Sequence, residues 1–154
     1  LQESAKIYLI DPSIESILIA EQRFNDALND SKNPCKFSLI RSKFNSLPSE
    51  VDIAIIATHS SIRASVIYDI YKYSTPKNLI LEKFLFDQID DYKRVNDLIE
   101  LKKISAWTNQ WISSSYPFKR ISDWFDDKTI KIHVYAKEWG LGCNCVHFID
   151  FLII

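Results

Sequence analysis

Methionine is absent from the 154 residues and glycine occurs twice, as Gly140 and Gly142. So little glycine excludes a glycine-rich phosphate loop anywhere in the chain. The three cysteines, Cys35, Cys143 and Cys145, are an odd number without the spacing of a disulfide framework, which points to a reducing cytoplasm. No wholly apolar run approaches the roughly 20 residues of a membrane span. Basic and acidic residues nearly balance, at net charge -1, and no Lys/Arg stripe stands out, so the electrostatic footprint of a nucleic-acid binder is missing. Neither a bilayer nor a nucleic acid is expected as a partner. With no initiator methionine, and with FIDFLII closing the chain in mid apolar run, the sequence reads as an internal piece of a longer protein.

What is present is ordinary globular material, 47% hydrophobic and 25% charged, enough for one domain or a little more. KIYLID (6–11) predicts a strand ending in Asp, and SIESILIAEQRFNDAL (13–28) carries apolar residues at 14, 17, 18, 24, 27 and 28, the helical period. KFSLI (36–40) and VDIAIIAT (51–58) predict further strands, the latter nearly continuous in Ile and Ala, as a strand covered on both faces should be. A helix follows at 61–74, with Ser60 or Ser61 as N-cap, then a strand in NLILE (78–82), a helix over 87–102 and a strand at ISAWT (104–108). Alternation of this kind predicts βαβ units and an α/β fold, here an incomplete Rossmann-like, mainly parallel sheet over 1–108. From 109 to 154 the texture changes. An aromatic, Ser-rich stretch with a helix from Pro117 onward leads to TIKIHVYAK (129–137), whose alternation predicts a one-faced strand, the start of a second α/β domain.

In an open parallel sheet, ligands sit beyond the carboxyl ends of the strands. The polar residues there are Asp11, then Thr58, His59 and Ser60, then Glu82 and Lys83, then Asn109. A carboxylate at the position of Asp11 can accept hydrogen bonds from both hydroxyls of an adenosine ribose, favouring NAD over NADP. It can equally open the turn at Pro12 and Ser13 and help cap the helix. Thr58, His59 and Ser60 follow the most apolar strand, where small hydroxyl residues admit a flat ligand such as a nicotinamide ribose, or simply cap the next helix. Glu82 and Lys83 are adjacent at a strand exit, so their side chains leave on opposite faces. The Lys83 ammonium could exchange a proton with a substrate hydroxyl. The pair could also be no more than a salt bridge.

Near the end, EWGLGCNCVHFIDFL places Cys143, His147 and Asp150 on one face of a helix, and an imidazole beside a carboxylate suits proton transfer. The same two residues could instead be polar groups satisfied within a domain interface. A Cys-x-Cys spacing does not put both thiolates on one helical face and no fourth ligand is evident, so no metal site is expected.

In order, the strand ending in Asp11, DIAIIATHSS, ILEKF, WTNQW and the helix bearing HFID resemble the Gfo/Idh/MocA family of NAD(P)-dependent oxidoreductases, over about residues 5 to 154. The resemblance implies an N-terminal Rossmann domain and a C-terminal α/β domain whose open sheet forms a homo-oligomer interface. It implies NAD, with NADP as the alternative cofactor, and a sugar or nucleotide-sugar substrate, in a branch associated with surface-polysaccharide metabolism. Glu82, Lys83 and Phe84 match the family's Glu-Lys-Pro motif, Asp11 its ribose acid and His147 its catalytic histidine. Lys83 and His147 would then be the substrate-facing proton-transfer groups, with Asp150 in support. Two residues depart from the pattern: Phe84 stands for the proline, and Cys143 for a carboxylate four residues before the histidine. The glycine-rich first turn is also missing, so this piece alone should not hold NAD tightly. A non-catalytic binding or assembly subunit on the same scaffold is the alternative reading.

Overall fold

The computed structural model describes residues 4–30 and 36–110, together with 131, 133, 135, 137–138, 140, 144–147 and 149. Their elements are β1 (Ser4–Leu9), α1 (Ile14–Asp30), β2 (Lys36–Arg41), a single 3-10 turn (Phe44–Ser46), β3 (Glu50–Ile56), α2 (Ser60–Tyr73), β4 (Thr75–Leu81), α3 (Ile89–Lys102) and β5 (Ser105–Thr108). Strands alternate with helices and pair in parallel, so the chain is α/β and Rossmann-like, in keeping with the alternation of its apolar periods. The strands form two sheets, β1-β2 and β3-β4-β5. The chain divides into two compact units, residues 1–51 with 69–75, and residues 52–68 with 76–154. Among the described residues no helix is long and apolar enough to cross a membrane. The domain boundary expected after 108 and the helix expected from Pro117 adjoin or fall in residues 111–130, outside the described residues. Of the strand expected at 129–137, Lys131, His133, Tyr135 and Lys137 are described, and they are exposed and outside any strand.

In the first unit β1 pairs with β2 from Ser4↔Lys36 to Leu9↔Arg41. The turn into α1 is built by two short polar residues. Asp11 Oδ1 accepts the Ser13 amide at 2.7 Å, and Ser13 Oγ accepts the Ser16 amide at 3.2 Å, so Ser13 caps the first turn of the helix. Only part of the expected apolar stripe is used: Ile17, Phe24 and Leu28 are half-buried, whereas Ile14 is 72% and Leu18 50% exposed. The half-buried face is centred on 17, 20, 21, 24 and 28, which brings Glu21 to Arg41 of β2. Arg41 donates from Nε and Nη2, one bond to each carboxylate oxygen. Those bonds, and the guanidinium charge behind them, hold the Glu21 carboxyl below its ordinary value.

In the second unit the register separates the two faces of the sheet. β4 pairs with β5 through Leu79↔Ala106, Ile80↔Trp107 and Leu81↔Thr108. The Asn109 amide donates to Leu81 O on that side, and the Glu82 amide donates to Ile56 O on the other in the same relation. Ile56 therefore lies opposite Leu81, and Ile55 opposite Ile80. One face carries Ile56, Leu79 and Leu81, which are 3%, 0% and 4% exposed. The other carries Ile53, Ile55 and Trp107, at 56%, 68% and 55%. The cause is topological: crossovers of one hand between strands in sequential order put α2 and α3 on the same side. Ala64 and Ile67 of α2 and Val95 of α3 are buried accordingly. The expectation that residues 51–58 are covered on both faces is thus corrected for Ile53 and Ile55.

The two helices touch each other through Tyr68, whose hydroxyl donates to Arg94 O at 2.8 Å and whose ring lies under the Arg94 guanidinium. α3 ends at Lys103, which caps the helix with φ 53° and ψ 47°, a left-handed conformation that costs a residue with a Cβ about 1 kcal/mol. Lys103→Gly is expected to stabilise the chain by roughly 0.5–1 kcal/mol in urea unfolding. A neutral or lower midpoint would show that the lysine side chain offsets its backbone strain.

Candidate functional site

The carboxyl ends of β3, β4 and β5 lie side by side in the second unit, and the chain changes direction after each of them. After β3 the residues Ala57, Thr58 and His59 lead into α2. His59 Nδ1 sits 2.8 Å from Ser61 Oγ and accepts the Ser61 amide at 3.3 Å. That amide bond requires Nδ1 to be unprotonated, so the neutral ring carries its hydrogen on Nε2. The helix start is thus closed by His59, where Ser60 or Ser61 was the expected cap.

After β4 come Glu82 and Lys83, both half-buried, then Phe84, which is 41% exposed. After β5, Asn109 reaches back across the strand pair and donates from Nδ2 to Glu82 Oε1, while its own amide is bonded to Leu81 O at 2.7 Å. Glu82 is therefore oriented by Asn109, not by Lys83. Among the described residues Lys83 makes no hydrogen bond or ion pair, so the simple Glu82–Lys83 salt bridge does not form.

Arg63, in the first turns of α2, organises this end of the sheet. It is 2% exposed. Its Nη1 donates to Glu82 O at 2.6 Å, to Leu85 O at 2.7 Å and to Phe84 O, and its Nη2 donates to Thr58 O. With two hydrogens for three acceptors, the Nη1 bonds are shared. Burial pulls the guanidinium below its ordinary value, and the charges of Glu82 and Asp87 oppose that shift. Carbonyl dipoles take the place of a carboxylate partner, which lets the cation stay buried without a salt bridge. Nearby, Thr58 Oγ1 and Gln110 Oε1 are buried and take no hydrogen bond among the described residues. Buried polar atoms without partners are uncommon, and the same holds here for Arg63 Nε and Ser74 Oγ.

The sequence-predicted residues thus fall into three groups. Thr58, His59, Ser60, Glu82, Lys83 and Asn109 are gathered at the ends of neighbouring strands, with Glu82 and Asn109 in direct contact. Asp11 lies in the first unit and serves the turn into α1, leaving Oδ2 outside that bond. His147 is 2% exposed on a helical turn over 144–147, and no bond joins it to Lys83. Asp150 and Cys143 lie outside the described residues.

Arg63 and Gln110 were not expected as site residues. Arg63 carried a legible signal: it stands one helical turn before Ile67 and two before Ile70, on the stripe that α2 buries. A cation on that stripe has to find oxygen atoms inside the fold. No family model matches the chain, and no curated protein matches it in sequence.

Proposed function

We propose that this chain forms the nicotinamide-facing part of an NAD-dependent oxidoreductase that moves a hydride between the cofactor and a carbinol carbon of a sugar or nucleotide sugar. The observation that carries this reading is the convergence of Thr58, Glu82 with Asn109, and Lys83 at the carboxyl ends of adjacent parallel strands, where open α/β sheets bind ligands. The residues fit the ribose and nicotinamide end of such a cofactor. Thr58 Oγ1 and Gln110 Oε1 offer buried, unbonded polar atoms, and Glu82, held through Oε1, keeps Oε2 to accept a ribose hydroxyl. No glycine-rich cradle for the pyrophosphate is present in the chain. When bound, the cofactor supplies the hydride acceptor. The chain supplies the proton-transfer group: Lys83, unpaired among the described residues, acts as the neutral amine and takes the hydroxyl proton, becoming an ammonium, as the carbinol gives its hydride to the cofactor. His147 as a second proton-transfer group, Asp150 in its support and Asp11 as the adenosine-ribose acid rest on the resemblance alone. NADP in place of NAD, homo-oligomerisation through the second domain and a cytoplasmic location belong to the same proposal.

The test uses the intact protein that contains this chain. Titration with NAD, followed by assay of reduced nicotinamide across a panel of sugars and nucleotide sugars, is expected to show binding and turnover with at least one of them. Absence of NAD and NADP binding would sink the proposal. Binding without turnover would favour the second reading, a non-catalytic assembly subunit. What supports that alternative is the uncovered apolar face of Ile53, Ile55 and Trp107, a feature typical of contact surfaces.

A further inference from the structure

The residues on either side of Lys83 are held, and Lys83 itself is not. Arg63 donates to the carbonyl of Glu82 before it and to those of Phe84 and Leu85 after it, and ties all three to Thr58 O at the end of β3. Glu82 is gripped again through its side chain by Asn109 and through its amide by Ile56 O. Phe84, the residue after Lys83, leaves φ unrestrained by a ring. Something else must therefore define the direction in which the Lys83 side chain leaves the strand. The only buried cation in contact with this turn among the described residues is Arg63.

We propose that Arg63 is the positioning residue for Lys83, fixing residues 82–85 by carbonyl hydrogen bonds so that the lysine ammonium is presented beyond the carboxyl end of β4. This deepens the reading of Lys83 as the proton-transfer group and rests on it. The guanidinium touches neither substrate nor cofactor and acts through the backbone. A planar fork can meet carbonyls on two different turns at once, whereas a lysine ammonium at position 63 is a single point donor.

The experiment has two arms, both on the intact protein, with Arg63→Lys and Arg63→Met variants checked for retained structure by circular dichroism. The first arm follows competitive acetylation of Lys83 against exposed Lys93 by mass spectrometry, and needs no turnover. Both variants are expected to change the Lys83 rate severalfold relative to Lys93, and added guanidinium at low millimolar concentration is expected to restore it in Arg63→Met. The second arm measures kinetics. Here kcat is expected to fall roughly 10- to 100-fold, the scale of a misplaced reacting group, with sugar KM within about 2-fold. Acetylation of Lys83 that tracks Lys93 in a folded variant, or a variant rate indifferent to guanidinium, would overturn the proposal. If Arg63→Met does not fold, Arg63→Lys carries both arms. A wild-type protein without turnover defeats the oxidoreductase reading and leaves the acetylation arm to decide on Arg63.

Discussion

Lys83→Ala is expected to lower kcat of the intact protein by roughly 10²- to 10⁴-fold while leaving its thermal midpoint within about 1 °C. The first number is the usual contribution of a positioned acid-base group. The second follows from the surroundings of the side chain: among the described residues it forms no hydrogen bond or ion pair, so its removal strands no partner. The combination is diagnostic. A residue that matters for chemistry and not for folding separates the two readouts, whereas a structural lysine would move both. Undiminished turnover in Lys83→Ala would remove the residue from the reaction. Lys83→Arg should recover little of the rate, because a guanidinium keeps its charge at any pH where the enzyme works.

Leu79→Ala should have the largest effect on stability, a loss of about 3 kcal/mol within the 2–5 kcal/mol span of such truncations. Leu79 is 0% exposed in the central strand of the β3-β4-β5 sheet, on the face covered by α2 and α3. Truncation removes packed methyl groups and leaves a cavity that a close-packed interior closes only in part. The matched control is Ile55→Ala, one strand away on the opposite face and 68% exposed, which should shift stability by under about 0.5 kcal/mol. Denaturant unfolding measures both. Equal losses at the two positions would mean that the exposed face is covered in the protein as it exists in solution, which is the outcome the assembly reading requires.

The order of elements was legible in the sequence because each strand and helix declares its own period. Residues 36–40 and 104–108 were placed within one residue of β2 and β5, and the helix over 61–74 within one residue of α2. What could not be read was which apolar residues are covered. Ile53, Ile55 and Ile56 are identical in type and lie in one strand, yet Ile56 is buried and the other two are not, because coverage depends on which side the crossovers pass. Local periodicity contains no such information. At the site the same distinction holds. Thr58, Glu82, Lys83 and Asn109 could be picked out as polar residues at strand exits, but their pairing could not. Glu82 bonds Asn109 across a strand boundary and leaves its sequence neighbour alone. Arg63 lies on a helix, and its place on the buried stripe does not say which strand-end carbonyls it meets.

Among the described residues each strand pair spans a helix: β1 closes on β2 across α1, β3 on β4 across α2, and β4 on β5 across α3. A parallel pair cannot be started by a tight hairpin, so each ladder demands closure of a long loop before its first bond repays the entropy. High contact order of this sort makes folding slow, and it leaves unpaired edges exposed to other nascent chains in the meantime. The helices, whose contacts are local, should consolidate early. The turn gripped by Arg63 should be among the last parts to settle, since its carbonyls come from chain segments that meet only when the β3 and β4 ends are already aligned.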